Sequence, residues 1–585
     1  MKQVILITIL IFTLISCGKV VKKDDNKLKS NTILYTLPED TQAILNLKSI
    51  ESLYKNSKIT ESEVFGHKMF NKGKYESILK NISINPFDLK DLEKIGVDTK
   101  KELGIALNKL VVAENDDDTS ANIIFYIPLK DSKKTLSYID SLFVNGKFKN
   151  NKTLVTSYKK ENAYIKIFGE KEEESIYFFV KNDYLFAIIN PSLPKESLEL
   201  TKNIINEKTS IKNSKLFTSN IDFSKLNKGV YLYADIKNFI DNNKVMVEKS
   251  LKEAGLRLDV IDAYETITSL IELDIKDFIW NLSISINENS KMMKLYNANI
   301  EKNIKNTMDK NSTLFLIDKP MLATSSAFTL NSKEIFKSIL QIVTEYKLTK
   351  ASIEEDSKHL DKILDEKIEA LNKEFGIDFK KSLIDNFDGN VKYASYDGMG
   401  IGATSYNTVF SIGFRDLKTL ETTIDKVLTH EYLAPFKSFV SKTNYKGKSL
   451  YVLSSAPLQA YIGFNKKELI IASSKNLYDK AINAKKGSGF YKFSKNDLLL
   501  NKALNSDLLV YISFSEVIKA LNNFKMIIPE KNFNLMVNLM GLGKYFIIDA
   551  KFEKSIFQMN YILRMNATKP FFVNIIDYIN KTQGK

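Results

Sequence analysis

The sequence predicts an α+β fold built as two tandem homologous halves, each an antiparallel sheet with helices packed on one face. Three observations predict it. Short blocks of the first half return in the same order in the second. Runs of β-branched and aromatic residues are bounded by turn residues. Aspartates stand where such a run gives way to apolar residues at helical spacing. At 585 residues the chain exceeds one ordinary core, and 44% apolar with 11% aromatic residues is ample for burial, so the protein is globular.

The repeat is read from three blocks. Gly96-Val97-Asp98-Thr99-Lys100-Lys101 returns as Gly376-Ile377-Asp378-Phe379-Lys380-Lys381, a shift of 280 (376 minus 96). Asn122–Asp140 aligns without gaps to Asn407–Asp425 at a shift of 285, with Asn122, Phe125, Asp131, Lys133, Ile139 and Asp140 meeting identical residues. Ile176–Ile189 matches Ala460–Ser473 at a shift of 284, carrying Tyr177 onto Tyr461 and Leu185 onto Leu469. Fixed-period self-similarity of this kind marks a repeated unit. It places a first half at 31–302 and a second at 311–569, with a tail at 570–585.

Within each half the elements follow in order. Ile123–Ile127 and Thr408–Ile412 read as strands, Asp131 and Asp416 as helix caps, and Leu136, Ile139 and Phe143 or Leu417, Leu420, Ile424 and Val427 as helical stripes. The third block predicts hairpins across the polar turns Lys181-Asn182-Asp183 and Asn465-Lys466-Lys467. Further strand-to-helix units are predicted at 229–242 and 508–523. In the second half, Asn331 with Glu334 and Ser352 with Glu355 resemble capping boxes, opening helices near 332–347 and 353–374 whose apolar stripes are core faces.

The N-terminus carries an address. Lys2 precedes an apolar run from Val4 to Leu14, too short to span a bilayer as a permanent helix. It ends Leu14-Ile15-Ser16-Cys17, which resembles the lipobox of bacterial lipoproteins. The resemblance implies that residues 1–16 are a signal peptide and that Cys17 is diacylated on sulfur, becomes the N-terminus and is acylated on its amine. Cys17 is the single cysteine, so the fold is expected to hold without disulfides. Residues 17–30 read as the acylated cysteine and a flexible tether. Within it Lys23-Asp24-Asp25 resembles the signal that sends some Bacteroidota lipoproteins to the outer face of the outer membrane. No later stretch reaches 18 consecutive apolar residues, so no second span is expected.

The formal charge of +15 raises nucleic acid as a partner, and the residue types exclude it. Only Arg257, Arg415 and Arg564 are arginines, and the lysines are interleaved with acids instead of forming one stripe.

Local motifs carry no chemistry. His67, His359 and His430 each stand alone, so neither a zinc site nor a nucleophilic triad is assembled by spacing. Gly398-Met399-Gly400-Ile401-Gly402-Ala403 satisfies a dinucleotide fingerprint formally but leads into the strand at 408–412, where pyrophosphate binding requires a helix. Glu114-Asn115-Asp116-Asp117-Asp118 lacks the spacing of a calcium loop. Trp280 is the only tryptophan available as a glycan platform, and most of the 27 tyrosines lie in strand-like runs that read as core. No catalytic, metal or cofactor-binding residue is assigned, and no cofactor is expected.

The opening Leu37-Pro38-Glu39-Asp40-Thr41, the Gly-Ile-Asp turn, and the strand, aspartate and helix that follow resemble a broad group of large exported bacterial proteins, many of them Bacteroidota lipoproteins. That resemblance implies a repeated α+β fold and transfers no catalytic residue. The expectation is a non-enzymatic surface lipoprotein, anchored in the outer membrane at its outer or periplasmic face, serving as a binding scaffold or accessory subunit of an outer-membrane protein complex. The alternatives are an envelope hydrolase acting on glycan or peptide at a site between the halves, and a carrier of an apolar ligand.

Overall fold

The computed structural model describes residues 33–57, 84, 88–111, 120–143, 154–160, 163–169, 176–190, 194–208, 210–221, 229–253, 263–273, 277–290, 320–327, 365–366, 368–396, 407–455, 458–484, 490, 497–503, 506–522, 525–526, 528–553, 555–566 and 573. It divides into two compact units, Met1–Met293 with Phe552–Lys585, and Lys294–Lys551. Helices and antiparallel strands make up both, so the α+β class holds.

The first unit opens with β1 (Thr41–Leu47), α1 (Ile50–Ser57), α2 (Leu89–Lys94), β2 (Leu103–Val111), β3 (Ser120–Pro128) and α3 (Ser132–Phe143). Then come β4 (Leu154–Lys160), β5 (Ala163–Gly169), β6 (Ile176–Lys181), β7 (Tyr184–Ile189), α4 (Pro194–Ile205) and α5 (Lys215–Asn220). It continues through β8 (Val230–Asp235), α6 (Ile236–Asn242), α7 (Lys244–Glu253), β9 (Tyr264–Leu273) and β10 (Asp277–Ile286).

The second unit contains β11 (Leu322–Ala327), β12 (Phe387–Ser395), β13 (Thr408–Phe414), α8 (Leu417–Thr429), β14 (Val440–Tyr445), β15 (Lys448–Ser455), β16 (Leu458–Asn465) and β17 (Glu468–Ala472). It ends with α9 (Lys475–Asn483), α10 (Leu498–Ala503), β18 (Leu508–Ser513), α11 (Phe514–Asn522), α12 (Glu530–Leu542) and β19 (Gly543–Glu553); β20 (Ile556–Met565) follows.

Both sheets are antiparallel throughout, and their strand orders correspond. The first runs β4-β5-β6-β7-β3-β2-β1-β8-β9-β10-β20. The second runs β14-β15-β16-β17-β13-β12-β11-β18-β19. The predicted strand, cap and helix at each half appear as β3 with α3 and β13 with α8, where Asp416 Oδ1 accepts from Lys418 N at 3.0 Å and Thr419 N at 3.1 Å. Asp131 Oδ1 accepts from Lys134 N at 3.2 Å. The predicted β6–β7 hairpin turns through Asn182 and Asp183, both at positive φ, as the twist of a two-residue hairpin requires.

One expectation is corrected. Helices cover both faces of each sheet, not one. In the first unit α3 sets Leu136 and Ile139 against Ile127, Leu185 and Val180. On the alternate residues, Phe186 and Ile188 pack with Leu200 and Ile204 of α4. The cause is legible in β7, Tyr184–Ile189, which is apolar at both parities and buries five of its six residues, so each face needs cover. In the second unit α8 covers the face of Leu469 and Ile471, while Tyr478 of α9 lies directly over Gly463 on the other face.

The sequence reads the second half as running to 569. The chain leaves the first unit after Met293 and returns to it at Phe552. β20 pairs with β10 over nine residues, from Asp277 opposite Arg564 to Ser285 opposite Ile556. β20 thus falls with the first unit.

The Gly96-Val97-Asp98 turn shows why one of the repeated glycines is required. Gly96 has φ +90°, its carbonyl accepts from Lys130 N at 2.8 Å, and a Cβ there would collide with the Asp131 carbonyl and sit 2.8 Å from Thr135 Oγ1. Gly376 also has positive φ (+62°), but a Cβ there would meet nothing within 4 Å. Gly96→Ala is expected to cost about 2–3 kcal/mol, conformation plus collision, and Gly376→Ala about 1 kcal/mol, conformation alone. Urea unfolding of the two variants checks the difference, and equal losses would remove the collision from the account.

Candidate interaction surfaces

Several residues singled out by the sequence lie outside the described residues: Cys17 and the tether with Lys23-Asp24-Asp25, His67, His359, the run Glu114–Asp118 and the loop Gly398–Ala403. The helix predicted near 332–347 lies outside as well. Of the one predicted at 353–374, residues 365–366 and 368–374 are described, and they are helical.

His430 has a structural place. It ends α8, its Nε2 lies 2.9 Å from the Glu374 carbonyl, and its ring centroid is 4.3 Å from that of Phe375. Trp280 is likewise committed: its ring stacks on Tyr561 at 5.1 Å, and Nε1 donates to Ser269 Oγ at 2.7 Å. Tyr126, Tyr177, Tyr231, Tyr233, Tyr451, Tyr511 and Tyr545 are fully buried, as their strand-like runs suggested, and so is Tyr478 in α9.

Several buried or half-buried carboxylates are tied to named partners. Asp277 receives two bonds of 2.7 Å from Arg564 Nε and Nη2. Glu468 Oε1 lies 2.9 Å from Lys392 Nζ. Asp497 accepts from the Tyr545 hydroxyl at 2.8 Å, and Asp549 from Ser506 Oγ at 2.9 Å. Asp425 holds both Lys442 Nζ, at 2.7 and 2.8 Å, and the Tyr451 hydroxyl at 2.7 Å. Burial, then the bond to Asp425, raises the Tyr451 pKa, so this phenol stays protonated at neutral pH and supplies no base. Among the described residues no group of three or more His, Cys, Asp or Glu could hold a metal ion. Among them, too, no helix is long and apolar enough to cross a membrane.

Asp235 is the acid most displaced from its ordinary range. It caps α6 by accepting from Asn238 N at 2.8 Å, and burial pushes its pKa up to about 6. The folded state thus holds this proton where the unfolded chain has released it, so stability falls as pH rises from about 4 to about 6 and is level above that. Asp235→Asn keeps the cap and removes the charge. It is expected to flatten this part of the profile and to stabilise the protein at pH 7 by about 2–3 kcal/mol, checked by urea unfolding at pH 4, 5, 6 and 7.

On the face that carries α3 or α8 each sheet leaves apolar side chains exposed, at positions that do not correspond. In the first, Leu45, Ile105 and Phe125 are cross-strand neighbours, and Leu45 is exposed. In the second, Phe410 aligns with Phe125 by the repeat and meets Tyr393 at 4.8 Å; Phe410 and Val391 are exposed. Sequence reading assigned Phe125 and Phe410 to strands without finding that Phe410 is exposed. Alternation names a face, and nothing local says whether a helix covers it.

No protein-family model matches the chain, and no curated protein does. A solved structure, "Structure of crystal form I of TP0453", matches across 45% of this chain and 81% of its own, at 9% identity and a TM-score of 0.23. A likeness at that score carries no argument.

Proposed function

We propose that the chain is a non-enzymatic lipoprotein of the outer membrane, anchored through Cys17, whose body is a duplicated scaffold serving as accessory subunit of an outer-membrane protein complex. The observation that supports this reading is the shared strand order of the two sheets, β4-β5-β6-β7-β3-β2-β1-β8-β9 against β14-β15-β16-β17-β13-β12-β11-β18-β19. Each sheet also exposes apolar side chains that a partner could cover, and the buried acids Asp235, Asp277 and Glu468 are held in a cap and two ion pairs.

The test is crosslinking in gently solubilised envelopes, isolation through a C-terminal tag and identification of what comes with it. An outer-membrane protein recovered in stoichiometric amount supports the accessory role. Recovery of the lipoprotein alone, or turnover of a glycan or peptide by the purified chain, overturns it.

A further inference from the structure

No further inference is drawn: the strongest candidate, the exposed pair Val391 and Phe410 on the face of the second sheet that carries α8, carries nothing because nothing in the structure shows what covers it.

Discussion

Arg564→Ala should destabilise the protein by about 3–5 kcal/mol, among the largest losses expected from a single substitution outside the apolar core. The guanidinium meets the Asp277 carboxylate through two bonds of 2.7 Å, and the aspartate side chain is only 11% exposed. Removing the arginine leaves a buried charge without its partner and releases one end of the β10–β20 pairing. The two residues are 287 positions apart, so the unfolded chain retains little of the contact. Arg415 supplies the control: its Nη1 donates to the Asp385 carbonyl at 2.9 Å at an exposed site, and Arg415→Ala should cost under about 1 kcal/mol. Equilibrium unfolding in urea gives the free energies, and hydrogen exchange should show lost protection concentrated in β10 and β20. A loss for Arg564→Ala no larger than the control would mean that the strand is held by its backbone ladder alone.

That pairing also marks where local reading of the sequence stops. The strand-to-helix units were legible because each carries its own signal: alternating apolar residues in β3 and β13, an aspartate at the cap, then leucines and isoleucines at helical spacing in α3 and α8. The hairpin turn at Asn182-Asp183 was legible for the same reason, since positive φ at two successive residues selects such residues. The contact between Arg564 and Asp277 has no local signature, and β20 looks in sequence like the natural end of the second half.

The two-faced cover was misread for a different reason. Six apolar residues in β7 serve a one-faced or a two-faced sheet equally well, and only strand pairing and the packing of α4 decide between them. Cys17, the proposed lipidation residue, lies outside the described residues.

A second large effect is expected at Lys392 and Glu468. Their side chains, 4% and 13% exposed, meet at 2.9 Å across β13, where they stand opposite Ser411 and Gly413. In the first unit the position equivalent to Ser411 is Tyr126, whose ring lies over Gly104 and whose hydroxyl donates to Asn46 Oδ1 at 2.8 Å. One half therefore fills this part of the sheet with an aromatic ring and the other with an ion pair. Taking two charges out of water costs several kcal/mol each, and their attraction only offsets that cost. Lys392→Met alone should lose about 3–5 kcal/mol, because Glu468 remains buried and uncompensated, and Glu468→Met should behave alike. The double variant Lys392→Met/Glu468→Met should return to within about 1 kcal/mol of the parent or exceed it, since no charge is then left unpaired. A double-mutant cycle in urea measures the coupling directly. Additive losses would show that the two side chains act independently, and that packing by the lysine stem, not pairing of the charges, stabilises this part of the sheet.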